Sequence, residues 1–281
     1  MTYLELYRRA EKIIERAGCG SPAFDAGCLL GDITGIERGM LPIKGGETAP
    51  AALCEKMLDA ARQRAAGKPL QYILGRWDFL SLTLEVGEGV LIPRPDTEVL
   101  CQTAAGLLKG KRSPKVVDLC AGSGCVGLGV ASLLPDVEVT AVELSGRAMD
   151  YLVRNCARYP MFKVNPVQAD VLKPDDRFDR EYDAVLANPP YIPTEELPSL
   201  MREVKHEPEM ALDGGDGLIF YRAIAKIWIP KLVEGGICAV EVGIGQAEEV
   251  AVLFRDAGLR DIQKIRDLGG IERVVAGIRQ T

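Results

Sequence analysis

Apolar positions in the first quarter of the chain recur at helical spacing. Leu4, Tyr7, Ala10, Ile13 and Ile14 share one helix face. After a break at Gly18–Ser21, Ala23, Ala26, Leu29 and Leu30 mark a second helix, and Leu53, Met57 and Ala60 a third. Residues 1–66 therefore read as a small helical domain. From Gly67 the period changes. Leu80–Val86 alternates apolar and polar residues, and Val90–Ile92 follows a Gly87-Glu88-Gly89 turn, so a hairpin is predicted within a linker over residues 67–97. That linker ends in Ile92-Pro93-Arg94-Pro95-Asp96-Thr97-Glu98, where prolines stiffen the backbone and deliver Arg94 to a fixed place before a helix beginning near Thr97.

Over residues 98–281 strands and helices alternate, which predicts an α/β fold with a doubly wound sheet. Strands are expected from Val116, at Val137–Glu143, at Val164–Val167, at Tyr182–Ala187, at Ile237–Val242, near Asp261–Ile265 and at Arg273–Ile278. Helices are expected over Gly127–Leu134, Arg147–Ala157, Leu218–Leu232 and Ala247–Ala257.

Composition narrows the function classes. With 47% apolar and 26% charged residues among 281, the chain is ordinary globular material. A net charge of -6 and the lack of a Lys/Arg run argue against a surface for nucleic-acid phosphates. The near-balanced charge of residues 1–66 suits a protein contact or a structural cap. No apolar run reaches membrane-span length, and the N-terminus lacks a signal-peptide core, so the chain reads as cytoplasmic with no membrane partner. The eight cysteines include no Cys-x-x-Cys pair, which suits buried thiols in a reducing compartment; no metal site is expected. His206 is the only histidine, so a site needing two imidazoles is excluded, and His206 itself reads as a loop or surface residue.

Two stretches carry chemistry. Asn188-Pro189-Pro190-Tyr191 follows the apolar run Ala184-Val185-Leu186, so two prolines stop a strand at its carboxyl end, where open α/β sheets bind ligands. The prolines aim the Pro189 carbonyl, Asn188 adds an amide, and Tyr191 adds a flat ring that can cover a planar group. Together they form a rigid cradle for a planar group bearing an NH2. Upstream, Asp118-Leu119-Cys120-Ala121-Gly122-Ser123-Gly124 runs from a strand into a helix. Gly122, Gly124 and Gly127 spell a Gly-x-Gly-x-x-Gly loop that lets backbone approach a ligand. Glu143 ends the next strand about 20 residues on, where an acid accepts ribose hydroxyls. By itself this loop fits a dinucleotide, another adenosine cofactor or a plain tight turn. It is not a P-loop, because no Gly-Lys-Ser/Thr follows.

Taken together, these residues resemble class I S-adenosylmethionine-dependent methyltransferases that act on planar nitrogens. The flanking text narrows the resemblance. Gly67-Lys-Pro-Leu-Gln-Tyr-Ile-Leu-Gly75, Val90-Leu-Ile-Pro-Arg-Pro-Asp-Thr-Glu98, Asn188-Pro-Pro-Tyr-Ile192, Glu207-Pro208, Ala211-Leu212 and Asp216-Gly-Leu-Ile-Phe-Tyr-Arg222 are similar to the release-factor glutamine methyltransferases of the HemK/PrmC type. The resemblance runs from about Gly67 to the C-terminus, while residues 1–66 match in kind. It implies a Rossmann-like seven-stranded methyltransferase sheet, a helical substrate-recognition domain, and S-adenosyl-L-methionine as cofactor, leaving as S-adenosyl-L-homocysteine. It also implies methylation of the side-chain amide nitrogen of the glutamine in the Gly-Gly-Gln motif of class I peptide-chain release factors.

By the same resemblance, Cys120, Ala121, Gly122, Ser123 and Gly124 would line the methionine part of the cofactor, Glu143 the ribose, and Asp170 with Val171 the adenine edge. Asn188, Pro189, Pro190 and Tyr191 would hold the target amide, with Asn188 also at the cofactor. The chain departs from the family pattern at Cys120, usually glycine, and at Val171, often aromatic. A DNA adenine methyltransferase would use a similar motif on a flipped base, but the acidic balance and missing basic groove oppose it and an RNA guanine methyltransferase alike. A nicotinamide-dependent dehydrogenase or a non-enzymatic nucleotide-binding scaffold would leave the amide cradle without a purpose.

Overall fold

In the computed structural model, which describes residues 1–179 and 181–280, two units make up the chain. The first combines Met1–Arg76 with Met201–His206, and the second combines Trp77–Leu200 with Glu207–Thr281.

In the first unit the three expected helices form: α1 (Tyr3–Arg16), α2 (Pro22–Thr34) and, after the short α3 (Leu41–Lys44), α4 (Ala51–Ala65). Helix α1 starts at a reciprocal cap, with the Glu5 amide donating to the Thr2 hydroxyl and the Thr2 amide donating to the Glu5 carboxylate. Helix α2 stops at Gly35 in the left-handed region. Leu6, Ala10 and Ile14 of α1, Leu29 and Leu30 of α2, and Met57 and Ala61 of α4 are all fully buried. On the inner face of α4, Arg64 Nε donates to Asp25 of α2 at 2.6 Å and its terminal nitrogen to Glu203 at 3.1 Å.

The stretch read as a hairpin linker is built differently. Helix α5 (Leu70–Leu74) occupies its start, and the paired strands are β1 (Arg76–Phe79) and β2 (Leu82–Glu85). Val90–Ile92, read as a strand, is not one. Its Ile92 amide donates to the Glu207 carboxylate at 2.9 Å instead of to a neighbouring strand.

The second unit continues with α6 (Pro95–Leu107), β3 (Lys115–Leu119), α7 (Cys125–Leu133), β4 (Glu138–Glu143), α8 (Gly146–Arg158), β5 (Lys163–Gln168) and β6 (Tyr182–Ala187). After a loop broken by single turns come α9 (Ile219–Ala223), β7 (Leu232–Glu241), α10 (Ala247–Asp256), β8 (Leu259–Arg266) and β9 (Glu272–Arg279). The seven strands order as β5-β4-β3-β6-β7-β9-β8. All pairs are parallel except those made by β9. Val185 and Ala187 of β6 enter the core on one side of the sheet, and Ala184 and Leu186 enter the core on the other. Burial on both faces explains why this strand reads as a continuous apolar run.

One predicted element is shorter than expected. The helix read over Leu218–Leu232 ends as α9 at Ala223, followed by a π turn and a 3₁₀ turn. Pro230 cannot continue the helical hydrogen bonding. Strand β7 therefore starts early, at Leu232, and a register shift with Gly235 at φ 71° absorbs the extra residues before Ile237 pairs with Ala184. His206 sits exposed on a 3₁₀ turn. Among the described residues no helix is long and apolar enough to cross a membrane.

Strand order reverses between β3 and β6, since β4 and β5 lie on one side of that pair and β7 on the other. A crevice opens at the carboxyl ends of strands that diverge in this way.

Candidate functional site

Leu119 ends β3 and is in register with Ala187, which ends β6. The glycine loop and the Asn-Pro-Pro-Tyr stretch therefore leave neighbouring strands at the same level. They wall one cleft. Of the residues singled out from the sequence, Cys120, Ala121, Gly122, Ser123, Glu143, Asp170, Val171, Asn188 and Pro190 line it. Gly124, Pro189 and Tyr191 do not. A Cβ on Gly124 would lie 2.7 Å from Leu152, so this glycine serves close packing and caps α7 at φ 84°.

Glu143 organises the loop. Its carboxylate accepts the Gly122 amide at 2.8 Å and the Ser145 amide at 2.7 Å, one on each oxygen. Burial pushes its pKa up, against the pull of those amides. A carboxylate offers about four lone-pair sites, so two remain for a ligand. Behind the loop, Asp118 is fully buried. One oxygen accepts the Gly127 amide at 2.9 Å, the other has no partner among the described residues, and burial raises its pKa to about 7.

Cys120 holds φ 58°, a left-handed conformation that costs a non-glycine residue roughly 1–2 kcal/mol. Burial pushes its thiol well above the ordinary value, which keeps it neutral. At Asp170 burial raises the pKa, but Lys173 and the Leu172 amide outweigh it and leave the carboxyl below its ordinary value. Val171 is buried, and its carbonyl accepts the Trp228 indole N–H at 2.9 Å.

The Asn-Pro-Pro-Tyr stretch is braced from two sides. Asn188 Nδ2 donates to Thr97 Oγ1 at 3.1 Å, Thr97 Oγ1 donates to Glu241 Oε2 at 2.6 Å, and the Tyr191 hydroxyl donates to Glu241 Oε1 at 3.3 Å. The Tyr191 ring, expected to cover a planar group, is thus held at its hydroxyl end by Glu241. On the far side, Gln246 Nε2 donates to the Tyr191 carbonyl at 2.9 Å. A Cβ on Gly214 would come within 2.8 Å of Pro190 O, so only glycine lets that loop pass. Arg94 does border the cleft, and its guanidinium is paired with the buried Glu207.

Glu241 and Gln246 were not singled out from the sequence, and Thr97 and Glu207 entered only as part of the motifs that carry the resemblance, without a role. Glu241 carried a signal: one acid inside the apolar run Ala239-Val240-Glu241-Val242. A buried carboxylate is costly unless something requires it.

Residues 5–75 match the family described as PrmC N-terminal domain, and residues 96–220 match the methyltransferase small domain. A release factor glutamine methyltransferase from Moorella thermoacetica is 35% identical over 283 residues, covering 100% of this chain and 99% of that one. One from Geobacter sulfurreducens is 42% identical over 217 residues, 76% of this chain and 75% of the relative. In fold, the chain is similar to a ribosomal protein L11 methylase from Lactobacillus delbrueckii subsp. bulgaricus. That structure aligns at a TM-score of 0.50 over 70% of this chain and 86% of its own, with 17% identity.

Proposed function

The chain belongs to the release factor glutamine methyltransferase family, and from that premise we propose its reaction and the residues that serve it. The enzyme methylates the side-chain amide nitrogen of the glutamine in the Gly-Gly-Gln motif of class I peptide-chain release factors, using S-adenosyl-L-methionine. The observation that carries this reading is the register of β3 with β6, which brings the glycine loop and Asn188 to one cleft.

The cleft residues fit the cofactor. Glu143 keeps two lone-pair sites for ribose hydroxyls after serving Gly122 and Ser145. Gly122 turns at φ 55° with open space beside it, since a Cβ there would meet only Val90, 4.0 Å away. In this reading Cys120–Gly124 hold the methionine part, with Gly124 acting through loop geometry, and Asp170 with Val171 hold the adenine edge. When bound, the cofactor supplies a methyl group activated on a sulfonium.

The chain's own task is placement. An amide nitrogen is a poor nucleophile because its lone pair is delocalised into the carbonyl. In this reading the Asn188 side-chain oxygen accepts one of its N–H groups, and the Pro189 carbonyl, adjacent in the chain though not part of the cleft lining, accepts the other, which orients the amide and enriches its nitrogen. Pro190 holds the turn, and Tyr191 braces it through Glu241. Positioning of this kind lowers a barrier by up to roughly 7–11 kcal/mol. We assign partner choice to the helical first unit, which exposes Phe24 at 54% and Ile43 at 76%. Radiolabelled S-adenosylmethionine with purified release factor, DNA and RNA tests the reading. Label should enter release factor alone, and incorporation into nucleic acid only would overturn the proposal.

A further inference from the structure

We propose, resting on that reading, that Thr97 and Glu241 are positioning residues for the transfer: a buried relay that turns the Asn188 side-chain oxygen, and not its NH2, toward the target amide. The polarity follows from proton counting. An ionised carboxylate only accepts hydrogen bonds, and a threonine hydroxyl has one proton to give. Glu241 Oε2 lies 2.6 Å from Thr97 Oγ1 and takes that proton, so Thr97 can only accept from Asn188. The carboxamide must then present nitrogen to Thr97 and oxygen to the cleft.

Parallel pairing explains how the relay is assembled. Ala187 is in register with Val240, so Asn188 and Glu241 follow one another's level on adjacent strands. Thr97, fully buried in the first turn of α6, inserts between them. The same carboxylate takes the Tyr191 hydroxyl, so one acid anchors both ends of Asn-Pro-Pro-Tyr. Among the described residues no cation is ion-paired with Glu241; Arg273, whose charge acts on it, directs its nitrogens to Asp267 and Asp96.

Protonation would undo the polarity, because a neutral carboxyl can donate to Thr97 and free its proton for the Asn188 oxygen. The groups facing Glu241 are Asp96, Thr97 and Cys101 from α6, Cys125 from α7, Tyr221 from α9, Arg273 from β9, and Tyr191. Burial pushes the pKa values of Cys101, Cys125 and Tyr221 up and keeps them neutral. For Glu241, burial and Asp96 raise the pKa, Thr97, Tyr191 and Arg273 lower it, and the balance is about 7.

The test uses the full-length enzyme with Thr97→Val, Thr97→Ser and Glu241→Gln, reading kcat and KM for release factor, cofactor affinity by calorimetry, and the pH profile. Thr97→Val should lower kcat about 10- to 100-fold while cofactor affinity stays within about threefold. Thr97→Ser, which keeps the hydroxyl, should recover the wild-type rate to within about threefold. The wild-type rate should decline below about pH 7, and Glu241→Gln should lack that limb. Near-normal kcat in Thr97→Val, equal loss in Thr97→Ser, or a limb that survives Glu241→Gln would each overturn the relay. If Glu241→Gln does not fold, the Thr97 pair decides. Should wild-type enzyme fail to methylate release factor, the proposed function falls, and the relay is judged by the Asn188 side-chain amide NMR signal. That signal should shift with pH in wild-type protein and not in Thr97→Val, whereas a pH-independent wild-type signal would overturn the relay.

Discussion

Replacing Glu143 with glutamine tests whether one carboxylate serves both the loop and the cofactor. Two of its lone-pair sites are taken by the Gly122 amide at 2.8 Å and the Ser145 amide at 2.7 Å. Two more remain for the ribose hydroxyls. Glutamine keeps one oxygen with two sites and substitutes an NH2 for the other. That NH2 must face a backbone N–H on one side, so one loop bond is lost, and the ribose hydroxyls lose the charged acceptor, since one of them can then only accept from a neutral NH2. Hydrogen bonds to a charged group are worth about 1.5–3 kcal/mol each. The expected outcome is a loss of about 1.5–3 kcal/mol in cofactor affinity, roughly 10- to 150-fold in Kd, with a comparable loss of folding stability. Calorimetry with S-adenosylhomocysteine, which cannot turn over, gives the first number, and urea unfolding without ligand gives the second. A Kd change below about threefold, roughly 0.65 kcal/mol, would refute the ribose assignment. An unchanged unfolding midpoint would refute the loop argument independently.

Asn188→Ala should abolish turnover with comparable cofactor affinity by calorimetry; near-normal turnover would remove Asn188 from the mechanism. Asp118 has its carboxyl raised from 3.8 to about 7 by burial, so its contribution favours the folded state fully below pH 3.8 and is lost as pH rises through about 7. Between pH 8 and pH 5 the wild type should therefore gain stability relative to Asp118→Asn in urea titrations, by at most about 1.4 kcal/mol per pH unit, and parallel pH dependences would contradict this. Arg64→Ala leaves Asp25 buried and unpaired and should cost about 3–5 kcal/mol, whereas Arg62→Ala, in an exposed pair with Asp59, should cost under about 1 kcal/mol by the same measurement. Phe24→Asp with Ile43→Asp should raise KM for whole release factor while leaving a short Gly-Gly-Gln peptide unaffected; equal effects on both substrates would end the assignment of partner choice to the first unit.

The sequence by itself determined the features that rest on local chemistry. Helical spacing located α1, α2 and α4, because each buries one face and repeats its apolar positions accordingly. Strand β6 was legible to the residue, Tyr182–Ala187, since an apolar run buried on both faces and stopped by two prolines has few other forms. The glycine loop, Glu143 and Asn188 were legible for the same reason: turn geometry and strand ends are written within a few residues.

Only the tertiary structure decided what joins them. Thr97 is 91 residues from Asn188 and 144 from Glu241, and their contact exists because β7 lies beside β6 in one register. Arg64 finds Glu203 across 139 residues. The hairpin moved to β1 and β2, and Ile92 turned to Glu207, because a period-two pattern says that a segment is extended and not which partner takes its amides. Cys120 in the left-handed region carries no local signal at all; the turn from β3 into the glycine loop imposes that conformation. Local preferences act over a few residues, whereas strand register and burial are settled by the whole chain, so the motifs were readable and the hydrogen bonds that aim them were not.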